Sequence, residues 1–281
     1  MSFSILEKQE LVPTIHLMTV RAPAVAKKAQ PGQFIMLRID ERGERVPLTI
    51  ADFDREKGTI TMIFQVLGKT TMHLSMLKAG DDLLDFIGPL GNPAHIENAG
   101  TVILIGGGVG VAPVFPQARA LKSAGNKIIS IIGARNAGLL LWEDRMREVS
   151  DELHITTDDG TKGHHGFVTD IVKKILEQGT KVDRVIAIGP PVMMRAVAGI
   201  TRPFNVRTIV SLNSIMVDGT GMCGACRVLV GNETKFACVD GPEFDAHLVD
   251  FTLLMSRLAI YQPEEKEALE KYTCDRKGCS C

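Results

Sequence analysis

A change of rhythm near residue 100 constrains this chain of 281 residues more than any other feature. Before it, short strand-like stretches ("TIHLMTVRAP", "QFIMLRI", "VPLTIADF", "TITMIFQVLG") recur between proline and glycine breaks, and one short helical pattern, "TTMHLSML", interrupts them. Many short strands at near-regular spacing predict a small antiparallel β barrel. From residue 101, buried strand patterns such as "TVILIG", "KIISIIGA" and "DRVIAIG" alternate with helical ones such as "PVFPQARALKSAG" and "PPVMMRAVAGI". That alternation predicts an α/β domain with a parallel sheet and helices on both faces. The barrel is placed in 1–98, the α/β domain in 99–211, a glycine- and cysteine-bearing segment in 212–245, and a helical tail in 246–281. In that tail Pro263 is positioned to open the second of two helices.

Composition narrows the function classes. Hydrophobic residues make up 45% and charged residues 23%, with a net charge of −1, so no global field draws nucleic acid or an anionic membrane. The apolar runs are strand-length, too short to span a bilayer. The opening "MSFSILEKQELV" alternates like a strand and lacks the basic and apolar regions of a signal peptide, which leads to the expectation of a cytoplasmic, reducing location. There the six cysteines read as metal ligands or free thiols rather than disulfides.

The stretch "ILIGGGVGVAPVF" joins the first parallel strand to its helix. Gly106, Gly107, Gly108 and Gly110 allow a sharp turn and close ligand approach, with Val109 among the candidate contacts, and Pro113 suits the first helical turn, whose free N–H groups favour a pyrophosphate. The pattern is G-x-G-x-x-P, which a merely tight turn also satisfies. "IGPPVMMRAV" repeats the device with Gly189, Pro190 and Met193 at the same edge of the sheet. Arg135 follows the second parallel strand, and Asp158 and Asp159 follow the third, where they are either ligand contacts or a solvated turn. His164 and His165 read as exposed loop, with no third ligand nearby. In the barrel, Arg45 precedes Pro47, Leu48 and Thr49, a phosphate-binding arginine beside an extended backbone edge. Gly68, Thr70 and Thr71 end a strand and begin a helix, a second phosphate site or an ordinary cap.

"RVPLT", "GKTT", "GPLGNP", "GGGVGVAP" and "GPPVMM", in this order, resemble the ferredoxin–NADP reductase superfamily. The resemblance implies FAD held by Arg45, Pro47, Leu48, Thr49, the Ile63–Phe64–Gln65 strand, Gly68, Thr70 and Thr71. It implies NAD(P) over Gly107 to Gly110 and beside Gly189–Pro190. The aromatic residue that ends the chain and covers the flavin in plant-type members is absent, because this chain continues.

The continuation reads Asp218-x₄-Cys223-x₂-Cys226, with Cys238 beyond. This is plant-type [2Fe–2S] ferredoxin spacing with aspartate in the first ligand's place. Zinc on three thiolates and a carboxylate, or three plain buried thiols, remain alternatives. A reductase module followed by a cluster loop resembles the electron-transfer subunits of bacterial dihydroorotate dehydrogenases, which carry four cysteines. It resembles more closely the small subunits of NADH-dependent reduced ferredoxin:NADP oxidoreductases, which use an aspartate ligand. The resemblance implies a larger flavin and iron–sulfur partner subunit, with NADH, NADP(H) and ferredoxin coupled by electron bifurcation. A dihydroorotate dehydrogenase subunit and a non-catalytic redox- or nucleotide-sensing module are the alternatives. The absence of a 2′-phosphate pocket around Arg135 favours NAD(H). Cys274, Cys279 and Cys281 fit no cluster spacing and are expected as free thiols.

Overall fold

The computed structural model describes residues 3–277. The first seven strands are β1 (Phe3–Val12), β2 (Ile15–Arg21), β3 (Phe34–Arg38), β4 (Val46–Asp54), β5 (Thr59–Gln65), β6 (Asp82–Leu83) and β7 (Asp85–Leu90). They form one antiparallel sheet in the order β6-β1-β2-β5-β4-β3-β7, curled into a nearly closed barrel. Two one-turn-and-a-half helices decorate it, α1 (Pro23–Lys28), which the sequence patterns did not mark, and α2 (Lys69–Leu74). The strand period of two sorts side chains between two cores. On β5, Ile60, Met62 and Phe64 fill the barrel, while Ile63 points the other way, into a core shared with the second domain.

The second domain contains β8 (Thr101–Gly107), β9 (Lys127–Ala134), β10 (Glu152–Thr157), β11 (His164–His165), β12 (Arg184–Ile188) and β13 (Arg207–Ser211). Its helices are α3 (Val111–Ser123), α4 (Glu143–Glu148), α5 (Val168–Glu177) and α6 (Pro191–Thr201). The segment after β13 supplies a hairpin, β14 (Arg227–Val230) and β15 (Glu233–Phe236), and then β16 (Glu243–Asp245). The sheet runs β11-β10-β9-β8-β12-β13-β16, parallel throughout except for β16, which closes the β13 edge antiparallel. His164 and His165 are thus an exposed edge strand rather than loop. The tail forms α7 (Phe251–Leu258) and α8 (Gln262–Lys277), with Pro263 in the first turn of the latter. Asp250 caps α7, its carboxylate accepting from the Leu253 amide at 2.9 Å. Cys274 is disulfide-bonded rather than the free thiol expected, and Cys279 and Cys281 lie outside the described residues.

Helix α3 joins the domains. Its Val111, Val114, Phe115 and Ala118 share one core with Ile15, Ala51 and Ile63 of the barrel. At the edge of that contact Asp52 of β4 takes two arginines, Arg119 of α3 at 2.7 Å and Arg145 of α4 at 3.0 Å. Arg145 also lies over the rings of Phe115 and Trp142, at 4.5 and 4.3 Å from their centroids. A half-buried charge with two partners held by aromatic packing fixes the angle of docking better than apolar contact alone.

Two glycine turns of the α/β domain meet back to back. A Cβ on Gly110 would overlap the Ile188 carbonyl, and one on Gly107 would meet Met193 Sδ at 2.5 Å. Gly110→Ala therefore forces the β8–α3 and β12–α6 turns apart. Overpacking of this kind costs roughly 2–3 kcal/mol, or a Tm loss of about 5–10 °C in a chain of this size. Differential scanning fluorimetry should show that loss; an unshifted Tm would mean that the turns separate freely.

Glu243 of β16 sits where barrel, α/β domain and cysteine segment converge. Its carboxyl is half-buried beside Gly32 and takes a 2.5 Å contact from buried Gln117 of α3. Loss of surrounding water raises its pKa from an ordinary 4.5 to about 7, against the opposing Gln117 hydrogen bond and the Arg184 charge. The Gln117 amide oxygen has no partner as oriented. Turned over, it would accept a hydrogen bond from the protonated Glu243 carboxyl at a distance normal for O–H···O. A raised folded-state pKa means that stability is complete below about pH 4.5 and declines as pH climbs toward 7. By linkage the decline is roughly 3 kcal/mol. Glu243→Gln should leave Tm at pH 4.5 unchanged and raise it at pH 8, measured across a pH series; parallel profiles for the two proteins would refute the assignment.

Candidate functional site

The barrel and the first glycine turn meet at β5. The Gly108–Gly110 turn lies against β5, the strand that carries Ile63, Phe64 and Gln65, and Val109 packs on the core that contains Ile63. Gly108 has φ of +56° with nothing within 4 Å of a Cβ, a left-handed residue facing open space. Gly107 stands between Gly189, Pro190 and Met193, so the two turns form one surface at the C-terminal ends of β8 and β12. Pro113 is buried inside α3 and serves the helix rather than the surface. Pro47, Leu48 and Thr49 are half-buried on β4, and Arg45 just before it is exposed. Phe64 is 2% exposed in the barrel core, which leaves only its backbone for a ligand. At α2, Glu44 accepts from Lys69 Nζ at 3.3 Å and Thr70 Oγ1 at 3.0 Å, so these donors converge on one anionic group. Thr71 is different: its hydroxyl accepts from the Leu67 and Gly68 amides and donates to the Gly68 carbonyl, as a cap does.

At the far end of the sheet the Asp158 amide bonds to the Ala134 carbonyl and the Asp159 amide to the Arg135 carbonyl. Arg135 and the two aspartates therefore lie together at the ends of β9 and β10, all exposed. Asp159 spends one oxygen on its own turn, accepting from Thr161 Oγ1 at 2.6 Å and the Thr161 amide at 3.0 Å. Those two bonds hold its carboxyl below the usual range.

The cysteine segment is embedded in the molecule. Buried Cys226 and Cys238 join a core with Phe34 and Met36 of the barrel, Val228, and Phe251 and Leu254 of α7. Their sulfurs lie 3.1 Å apart. Burial pushes the Cys238 thiol up to about 12, reinforced by contact with Cys226, while the Gly221 amide opposes the rise. Such a pair ionises only when a metal takes the protons' place. Cys223 is exposed on the same loop. Asp218 accepts the Thr220 amide at 2.8 Å and the Cys223 amide at 2.8 Å, and these bonds, Thr220's foremost, hold its carboxyl below the usual range.

Whether the segment fits an iron–sulfur cluster is decided by its amides. Cys226 is 1% exposed, yet among the described residues no protein group accepts from its amide; the amides of half-buried Gly224 and Ala225 have no protein acceptor there either. A buried donor without a partner calls for an acceptor. Sulfide and thiolate sulfurs of an anionic cluster are such acceptors, and the segment fits one. Among the described residues no three His, Cys, Asp or Glu side chains converge as ligands of a single metal ion would. A cluster spreads its ligands over two irons.

Elsewhere, a cavity of about 750 Å³ opens at the C-terminal half of α3, lined by Lys27, Lys28, Phe53, Arg55 and Arg119 among others. It holds none of the expected cofactor residues. Motif reading also missed Glu44, Asp52 and Glu243, single acids without a recurrent spacing.

Comparison with known proteins agrees with this geometry. Residues 104–199 match the oxidoreductase NAD-binding domain family, and residues 213–250 match the iron–sulfur cluster binding domain of dihydroorotate dehydrogenase B. A Thermotoga maritima dihydroorotate dehydrogenase B (NAD(+)) electron transfer subunit homolog is 48% identical, over 95% of this chain and 94% of its own length. A Bacillus cereus dihydroorotate dehydrogenase B (NAD(+)) electron transfer subunit is 31% identical over 85% of this chain and 94% of its own. A chain of a solved NADH-dependent reduced ferredoxin–NADP oxidoreductase superposes with a TM-score of 0.92 at 48% identity, covering 96% of this chain and 98% of that one. A Neisseria gonorrhoeae ferredoxin NADP+ reductase solved with FAD and NADP shares the fold, with a TM-score of 0.61 at 16% identity over 73% and 91% of the two chains. No helix among the described residues is long and apolar enough to cross a membrane. The chain belongs to the dihydroorotate dehydrogenase B electron-transfer subunit family, oxidoreductase chains that join an NAD-binding domain to an iron–sulfur cluster-binding domain.

Proposed function

We propose that the chain is the small subunit of an electron-bifurcating NADH-dependent reduced ferredoxin:NADP oxidoreductase, working with a larger flavin- and iron–sulfur-bearing partner. The observation that carries the reading is Asp218 at the head of an otherwise ferredoxin-like ligand spacing, in a chain 48% identical to a solved member of that enzyme. FAD, when bound, accepts a two-electron hydride and releases electrons singly, which an iron–sulfur cluster can carry onward. The chain's own residues do the positioning. The edge of β4 at Pro47, Leu48 and Thr49, the Ile63–Gln65 strand, Arg45 and the α2 donors hold the flavin; Gly107 to Gly110, Gly189, Pro190 and Met193 hold the dinucleotide against it. Because Arg119 of α3, and Arg145 of α4 stacked on Phe115 of α3, both pair with Asp52, the glycine turn is presented to β5 at a set distance. No side chain acts as acid or base. Asp218, Cys223, Cys226 and Cys238 ligate the [2Fe–2S] cluster. Each Asp218 oxygen accepts one amide and retains a second lone pair for iron. Val217, Met222 and Val239, exposed apolar residues of the segment that carries exposed Cys223, belong to the face offered to the partner. Ferredoxin and NADP(H) react through that partner, in the cytoplasm.

The matching dihydroorotate dehydrogenase B relatives support a second reading, in which the partner oxidises dihydroorotate. Co-purification of the partner from the native host separates the two.

Anaerobically purified chain should contain one FAD, with iron and acid-labile sulfide in equal amounts; zinc without sulfide would end the proposal. Asp218→Cys restores four thiolates and should keep the cluster with a changed electron paramagnetic resonance spectrum, while Asp218→Ala should lower the iron content. An unchanged spectrum in the cysteine variant would remove Asp218 from the ligands. For the nucleotide, Asp158 and Asp159 beside Arg135 suit a ribose hydroxyl and repel a 2′-phosphate. Flavin reduction followed by stopped flow should favour NADH over NADPH by at least about tenfold in kcat/KM, the factor that 1.4 kcal/mol of repulsion supplies. Equal rates would assign Arg135 to the phosphate instead.

A further inference from the structure

Two arginines hold the loop between Cys223 and Cys226. Arg227, the first residue of β14, donates through Nη1 to the Gly224 carbonyl at 3.1 Å. Arg257, in the last turn of α7, donates through Nη2 to the Ala225 carbonyl at 3.1 Å. Neither guanidinium has a carboxylate partner among the described residues. Helix α7 is itself anchored: the Asp250 amide bonds to the Leu229 carbonyl, and Phe251 and Leu254 are buried in the core that contains Cys226 and Cys238. Arg257 is therefore delivered from a fixed support.

We propose that Arg227 and Arg257 are positioning residues that raise the reduction potential of the cluster; the inference rests on the reading of residues 218–238 as a [2Fe–2S] site. Two effects act in the same direction. One-electron reduction makes and breaks no bond but adds a unit of negative charge to the site, and two positive charges beside the loop, without a carboxylate partner among the described residues, favour it. In addition, the C=O and N–H of a trans peptide point opposite ways. Pulling the Gly224 and Ala225 carbonyls onto guanidinium groups turns the Ala225 and Cys226 amides away from the arginines. These are two of the amides that lack a protein acceptor among the described residues. Oriented N–H groups stabilise added negative charge on sulfur. Half-buried Arg257 is less screened than exposed Arg227 and carries the larger share.

The test uses the full chain with its cluster, titrated with dithionite and mediators while the reduced signal is followed by electron paramagnetic resonance. Arg257→Gln should lower the reduced-to-oxidised ratio at a fixed potential about tenfold, equivalent to 59 mV for a one-electron couple. Arg227→Gln should give a smaller drop in the same direction, and Arg257→Lys, which keeps the charge, should recover most of the loss. Amide hydrogen exchange at residues 224–226 should quicken in both glutamine variants. If both keep the parent potential, the proposal is overturned. If Arg257→Gln loses its cluster, Arg227→Gln and Arg257→Lys carry the decision. A parent chain without a cluster would instead defeat the underlying reading, an outcome distinct from either.

Discussion

The packing of α3 against the outer face of the barrel is the constraint on which the remaining structure depends. Its apolar residues share a core with Ile15, Ala51 and Ile63, and the Asp52–Arg119–Arg145 group pins the contact at its rim. The helix begins at the glycine turn, so whatever fixes the helix fixes the turn. Domains joined only by polar surfaces move by default. In the proposed function a flavin on one domain and a nicotinamide on the other have to meet within bonding range of a hydride, and an apolar seam with a paired charge meets that demand.

The cysteine segment shows why cluster loops sit where they do. The segment lies close against the barrel: a Cβ on Gly219 of the segment would touch Leu90 at 3.0 Å, and one on Gly91, just after β7, would touch Pro242 of the segment at 2.9 Å. Asn92 of the linker bonds through its amide to the Gly241 carbonyl and through its side chain to the Val239 carbonyl. The loop is thus held from the barrel, from α7 and from the sheet through β16. A redox site supported from several sides needs little reorganisation when its charge changes.

Much of this architecture is legible in the amino-acid sequence. The strand period of two in "TITMIFQ" and the buried runs "TVILIG" and "KIISIIGA" are strong local signals, and the barrel and parallel sheet follow them. The two glycine turns are legible as well, because only glycine tolerates the approach of Gly110 to Ile188. Other features are not. β16 is three residues long, and its pairing with β13 depends on long-range contact rather than on local pattern. The apolar set of the tail suits a partner and its own domain equally; Phe251 and Leu254 turn inward, while Leu248 stays 53% exposed. Asp218 is legible by spacing, but its two amide bonds are not, since an aspartate that caps and one that ligates have the same letter. The pairing of Asp52 with arginines 67 and 93 residues away carries no sequence signature at all.

β16 has an evolutionary consequence. A sheet edge left bare invites pairing with other chains. By lying antiparallel on β13, this strand finishes the NAD-binding domain with residues that come after Cys223, Cys226 and Cys238. The segment is therefore no detachable cassette. A lineage that deleted it to make a plain flavin reductase would have to invent a new border for the sheet, and one that grafted it elsewhere would have to supply a bare edge to receive it. Modularity visible along the chain is lost in three dimensions, and inheritance of the reductase and cluster units is coupled by a strand of three residues.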